Sequence, residues 1–91
     1  MFEECKESFT GVEYIGNKTI TIGNHSCLPW VDFKDNLKKW NTSLTENYCR
    51  NPNITDHGPW CFINIQGNSE YCEIHYCSGT VNYFSQKYFL L

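Results

Sequence analysis

Residues 47–61 read NYCRNPNITDHGPWC. Cys49 and Cys61 frame a mostly polar loop that turns at Pro52 and closes on Gly58-Pro59-Trp60. Asp56 is its only acid, and Asn53-Ile54-Thr55 is an N-glycosylation sequon. These residue types suit three roles: the rim of a ligand site, a glycosylated surface, or a turn held between two disulfides. The choice depends on what surrounds the loop.

The chain has 91 residues, enough for one small domain, and six cysteines, at positions 5, 27, 49, 61, 72 and 77. A domain of this size buries too little surface to be stable without a further staple. An even cysteine count at this density implies a disulfide framework made in an oxidising compartment. The competing reading is a metal site, but zinc ligands tend to lie roughly two to four residues apart, so that one turn aims both at the ion. The closest pair here, Cys72 and Cys77, is five positions apart. Disulfides are therefore expected, with no metal and no cofactor. Four sequons, at Asn17, Asn24, Asn41 and Asn53, point to the same compartment. The opening Met1-Phe2-Glu3-Glu4 is acidic and carries no apolar leader, so a secreted protein or ectodomain is expected to be represented here by a fragment.

The net charge is −3. The basic residues are scattered, apart from Lys34, Lys38 and Lys39, and Asp32 and Asp35 lie among these. Nucleic-acid binding needs a clustered basic face, so it is not expected. No stretch reaches the roughly 20 apolar residues of a membrane span. A weak glycosaminoglycan contact at the three lysines is the one electrostatic partner to weigh against an ordinary solvated face.

Regular structure is sparse. Phe33, Leu37 and Trp40 share one helical face, which predicts a turn or two of helix over 33–40. Strand-like alternation appears over 19–22 and 60–65. Gln66-Gly67-Asn68-Ser69 is a turn signal, and 70–74 is the natural return strand of a hairpin. The expected fold class is small and disulfide-rich, mostly loops with a few short antiparallel β-strands. Three segments follow: a flank at 1–4, a domain at 5–77, and a tail or linker at 78–91.

Six cysteines allow about fifteen pairings, and spacing alone selects none of them. Here a resemblance helps. Cys5, Tyr14-Ile15-Gly16, Cys27-Leu28-Pro29-Trp30, the run from Leu44 to Pro52, Gly58-Pro59-Trp60-Cys61 and Glu70-Tyr71-Cys72, closing at Cys77, resemble the kringle pattern in order and spacing. The resemblance implies the pairing Cys5–Cys77, Cys27–Cys61 and Cys49–Cys72. It also implies core positions at Trp30, Leu44 and Tyr48. Many kringles bind lysine or its mimics, whose ammonium, apolar stem and carboxylate require acids, aromatic faces and a base in sequence along one site. Lysine-binding members carry Asp-x-Asp just after Arg-Asn-Pro, where this chain has Asn53-Ile54-Thr55; Asp56 comes one position late. They also carry an arginine and an aromatic residue before Glu-Tyr-Cys, where this chain has Asn68 and Ser69. Trp60 and Tyr71 remain. The resemblance thus implies a degenerate ligand site over Asn53, Thr55, Asp56, Trp60, Asn68, Ser69 and Tyr71.

The segment between Cys27 and Cys49 is shorter than in lysine-binding members. Whether Lys34, Lys38 or Lys39 replaces the base it supplies there is left open, as is whether Phe33 and Trp40 are core or an exposed contact. His25, His57 and His75 are dispersed and have no free cysteine or elbow-type serine beside them, so no enzyme is expected. The reading is a monomeric, non-catalytic extracellular module that binds a protein partner without a working lysine site. The alternatives are a lysine-binding or heparin-binding module, or a spacer within a protease zymogen or receptor ectodomain. Peptide mapping under non-reducing conditions is expected to recover Cys49 joined to Cys72; Cys49 joined to Cys61 would refute the topology.

Overall fold

The inner sulfurs organise the domain. In the computed structural model, Cys27 pairs with Cys61 and Cys49 with Cys72, and the Cys27 and Cys49 sulfurs pass 3.8 Å apart. Cys5 pairs with Cys77, with Cα atoms 4.9 Å apart. These are the pairs implied by the family resemblance. All four inner sulfurs lie within 4.8 Å of one another, but each is committed to an S–S bond and none is a thiolate ligand. The bonds close separations of 72, 34 and 23 positions. In the chain-entropy model each such closure stabilises by roughly 3 to 4.5 kcal/mol. The described residues are 4–40, 42, 44–53 and 56–77. The predicted tail 78–91, most of the flank 1–4, the sequon Asn41 and the site residue Thr55 lie outside them.

An aromatic cluster packs around the crossed disulfides. Trp30, Phe33, Leu37, Trp60 and Phe62 are buried against the inner cysteines, and Leu28, Trp40, Leu44 and Ile63 pack onto them from the edge. Phe33 stacks on Phe62 with centroids 4.1 Å apart. Trp30 meets Trp60 edge-on at 4.9 Å. Offset and edge-on geometries of this kind are the favoured ones for π systems and add to the area they bury. Trp30 is only 1% exposed, and its indole N–H is satisfied by the Tyr48 carbonyl at 2.6 Å. Tyr48 itself is half-buried, with the Arg50 guanidinium 5.4 Å from its ring.

The helical stretch begins three residues before its expected start. A 3₁₀ turn at Trp30–Phe33 runs into α1, Lys34–Leu37, and a second 3₁₀ turn at Lys38–Trp40. No side chain caps the first turn. Its orphan N–H groups are taken instead by a distant strand of backbone: Trp30 N–H donates to the Glu46 carbonyl at 2.8 Å and Val31 N–H to that of Thr45 at 3.4 Å. Local periodicity carries no trace of such a cap.

The hairpin is shorter than expected. β1, Trp60–Phe62, pairs antiparallel with β2, Ser69–Tyr71, in the register Trp60↔Tyr71, Cys61↔Glu70 and Phe62↔Ser69. Asn64 ends β1, because its Oδ1 accepts the N–H groups of Gln66 and Asn68, both at 3.1 Å. Gly67, at φ 91°, supplies the left-handed residue that this turn requires. On its other edge β1 bonds to Arg50 and Leu28, with Arg50 N–H to the Trp60 carbonyl at 3.0 Å and Leu28 N–H to that of Phe62 at 2.9 Å.

The predicted strand at 19–22 is a correction. Only Ile20 pairs there, in an isolated bridge to Ser26. The chain turns at once, with Asn24 N–H donating to the Thr21 carbonyl at 2.9 Å. The alternation is real but inverted: Thr21 is buried, whereas Ile20 and Ile22 face water. Thr21 is held inside by polar bonds, since its Oγ1 donates to Glu70 and accepts from His25 N–H.

Tyr14 and Gly16 seal the end near the outer disulfide. The buried Tyr14 hydroxyl donates to Glu4 at 2.7 Å and accepts from Lys18 N–H at 3.2 Å. Burial and the Glu4 bond push its pKa up to about 12. A Cβ at Gly16 would land on this hydroxyl and on the Glu4 carboxylate. Gly16→Ala is therefore expected to cost about 1–3 kcal/mol by overpacking, read as a lower urea midpoint with the disulfides intact.

Candidate functional site

β1, β2, the end of the helical stretch and the loop before β1 enclose a cleft of about 340 Å³. Four aromatic side chains line it: Trp40, Trp60, Phe62 and Tyr71. Trp60 forms the floor. It is 6% exposed and is wedged edge-on between Trp30, Phe62 and Trp40, the last at 5.8 Å. Its backbone exchanges hydrogen bonds with Arg50. Its indole Nε1 is buried with no hydrogen-bond partner, an exception to the rule that buried polar groups are paired. Tyr71 is 43% exposed; its ring stacks on His57 at 6.4 Å.

The charged lining is divided. Lys39 supplies a cation, with Nζ 4.8 Å from the Trp40 ring centroid. Asp56 supplies a carboxylate. Its place is set by a tight turn in which Asp56 N–H donates to the Asn53 carbonyl at 2.9 Å. Buried Asn51 clamps the loop, donating from Nδ2 to the Thr10 carbonyl at 2.7 Å and the Asp56 carbonyl at 3.2 Å. Glu70 also lines the cleft, but its carboxylate is engaged elsewhere: Thr21 Oγ1 donates to it at 2.5 Å and His25 Nδ1 lies 2.9 Å away. The Thr21 bond and then the His25 bond hold its pKa below the ordinary carboxylate value.

Of the residues in the expected degenerate site, Asn53, Asp56, Trp60, Ser69 and Tyr71 come together in this cleft. Asn68 is not among its lining; its carbonyl accepts from Ile63 N–H within the hairpin turn. Lys39, Trp40, Phe62 and Glu70 are additions. Lys39 and Trp40 reach the cleft because the helical stretch ends there, an orientation fixed by contacts with Glu46 and Thr45 far along the chain. The three lysines are divided between two concavities, with Lys39 in the cleft. Lys34 and Lys38 line a separate groove with Leu37 and Leu44, and Lys38 faces Asp35 at 3.8 Å. The histidines are likewise separate: His25 meets Glu70, and His57 lies between the rings of Phe9 and Tyr71.

Residues 5–77 match the family model described as Kringle domain. The chain belongs to the kringle family. Kringle domains are protein-binding modules and are generally non-catalytic, and a kringle with three disulfides is the form of an extracellular domain. The Cys49–Cys61 loop that opened the sequence is thus one wall of the kringle cleft, with Trp60 at its base.

Glu70 contributes stability in a defined direction. Its folded pKa is depressed below 4.5, so its contribution is fully present above that value and is lost as pH falls through the folded pKa. Urea midpoints measured on the acid side are expected to fall less steeply in Glu70→Gln than in the parent kringle. Parallel slopes would show that the Thr21–Glu70–His25 contact has no energetic role.

Proposed function

We propose that this kringle is a non-catalytic module of a secreted or cell-surface protein, and that its cleft engages an apolar or aromatic segment of a protein partner rather than free lysine. The observation that carries this reading is the mismatch, among the described residues, between four aromatic side chains and a single carboxylate, that of Asp56, not held by Thr21 and His25. Glu70 is occupied by Thr21 and His25. Asn53 stands at one acid position of lysine-binding members and Thr55 at the other. Each charge-assisted hydrogen bond to an ammonium is worth about 1.5–3 kcal/mol. Loss of the acid pair therefore weakens a lysine site by about a hundredfold or more, and Asp56 returns only one charge. The aromatic faces are indifferent to that loss and still reward an apolar ligand. The division of Lys34 and Lys38 from Lys39 also speaks against a continuous basic surface for a sulfated chain among the described residues.

Titration with 6-aminohexanoate, followed by tryptophan fluorescence and two-dimensional NMR, tests this reading. No saturable shift of the Trp60 indole signal is expected in the micromolar range. Micromolar saturation that is abolished in Asp56→Asn would overturn it and make the module a lysine-dependent anchor.

A further inference from the structure

A second apolar exposure lies outside the cleft, on the loop whose Thr21 holds Glu70. Ile20 and Ile22 are 43% and 68% exposed, and both line a groove of about 640 Å³ that shares no lining residue with the cleft. Two large apolar side chains sharing one groove give a covering group apolar surface to bury. Two of the sequon asparagines, Asn17 and Asn24, line this same groove.

The two are not equivalent. Asn24 occupies the corner of the tight turn after Thr21, in the left-handed region at φ 67°, where asparagine is tolerated better than most residues. It is exposed, as is the hydroxyl-bearing Ser26 of its sequon, and among the described residues its side-chain amide has no hydrogen-bond partner. Asn17 is exposed too, but Thr19 of its sequon is half-buried. Asn53 is half-buried at the rim of the cleft. The groove around the isoleucines also presents Glu4, Lys18, Glu73 and His75. This mixture of apolar floor and polar edge matches a sugar ring, which has C–H faces and a hydroxyl perimeter.

We infer that Asn24 carries an N-linked glycan whose first sugar lies over Ile20 and Ile22 in this groove. In the attachment step Nδ2 of Asn24 forms a bond to C1 of the reducing-end sugar of a lipid-diphosphate oligosaccharide donor. The C1–O bond to the diphosphate breaks, the lipid diphosphate leaves with the electron pair, and the amide gives one proton to a base of the transferase. No oxidation is involved. The glycan hides an apolar surface that a secreted module would otherwise expose. The inference requires passage through a secretory pathway but does not depend on what the cleft binds.

The test uses the full 91-residue chain secreted from a eukaryotic host and trimmed enzymatically to one sugar per site. Ser26→Ala removes the sequon while keeping asparagine at the left-handed position, which Asn24→Gln would strain; Thr19→Ala is the matched control at Asn17. Mass mapping is expected to find sugar on the Asn24 peptide, lost in Ser26→Ala and kept in Thr19→Ala. The Ile20 and Ile22 methyl signals should differ between parent and Ser26→Ala, while that of Ile65, 85% exposed in the hairpin turn, should not. Should Ser26→Ala fold poorly, nuclear Overhauser contacts between sugar protons and the Ile22 methyl in the parent give the same answer. An unmodified Asn24, or a glycan with no contact to and no effect on the two isoleucines, overturns the inference.

Discussion

Everything in this domain hangs on the crossing of Cys27–Cys61 and Cys49–Cys72. The crossing places four sulfurs where a larger protein would place several layers of aliphatic side chains, and Trp30, Phe33, Trp60 and Phe62 pack around them as a single shell. So small a shell offers little redundancy. Cys61 lies within β1, between Trp60 and Phe62 in sequence, and its disulfide fixes the height of the strand whose other face carries both rings. Cys72 follows β2 and sets where Tyr71 meets solvent. The cleft is therefore a by-product of the core: the indole that floors it also packs edge-on against the buried Trp30.

The division of charge in the cleft follows from the same economy. A hairpin of three-residue strands has room for one acid on β2, Glu70, and the loop of Thr21 and His25 already holds it. Asp56 belongs to a loop tied down by Asn51 and enters the cleft from the opposite chain segment. Among the described residues the lining of the cleft thus combines one cation, Lys39 above Trp40, one carboxylate not held by Thr21 and His25, that of Asp56, and four aromatic side chains of which Trp60 and Phe62 are buried.

Much of this was legible in the sequence. Cysteine order together with Asn-Tyr-Cys-Arg-Asn-Pro, Gly-Pro-Trp-Cys and Glu-Tyr-Cys identified the fold by resemblance, and Gln66-Gly67-Asn68-Ser69 announced the hairpin turn, while the part played by Asn64 was hidden within the expected strand. The misreadings share a cause. Helix entry at Trp30 depends on carbonyls of Thr45 and Glu46, and the inversion at Thr21 depends on Glu70, almost fifty positions away. In a chain with so little regular structure, polar contacts between distant loops decide which residues face inward, and a window of neighbouring residues does not contain them. The sequence left open which of Lys34, Lys38 and Lys39 supplies a base to the site and whether Trp40 is core or contact, because the direction of a short helix is set by what it leans on.

The outer disulfide has a mechanical consequence. Cys5 and Cys77 sit with their Cα atoms 4.9 Å apart, and Lys6 and Tyr76 beside them form a parallel backbone bridge. Any polypeptide continuing beyond both cysteines enters and leaves at one point. Tension along such a chain passes from one side to the other through a single covalent link and bypasses the body of the domain. A kringle within such a chain hangs as a pendant: a load that straightens the flanking segments is carried past the aromatic cleft, and the length the module adds to the stretched chain is that of one disulfide rather than of its folded diameter.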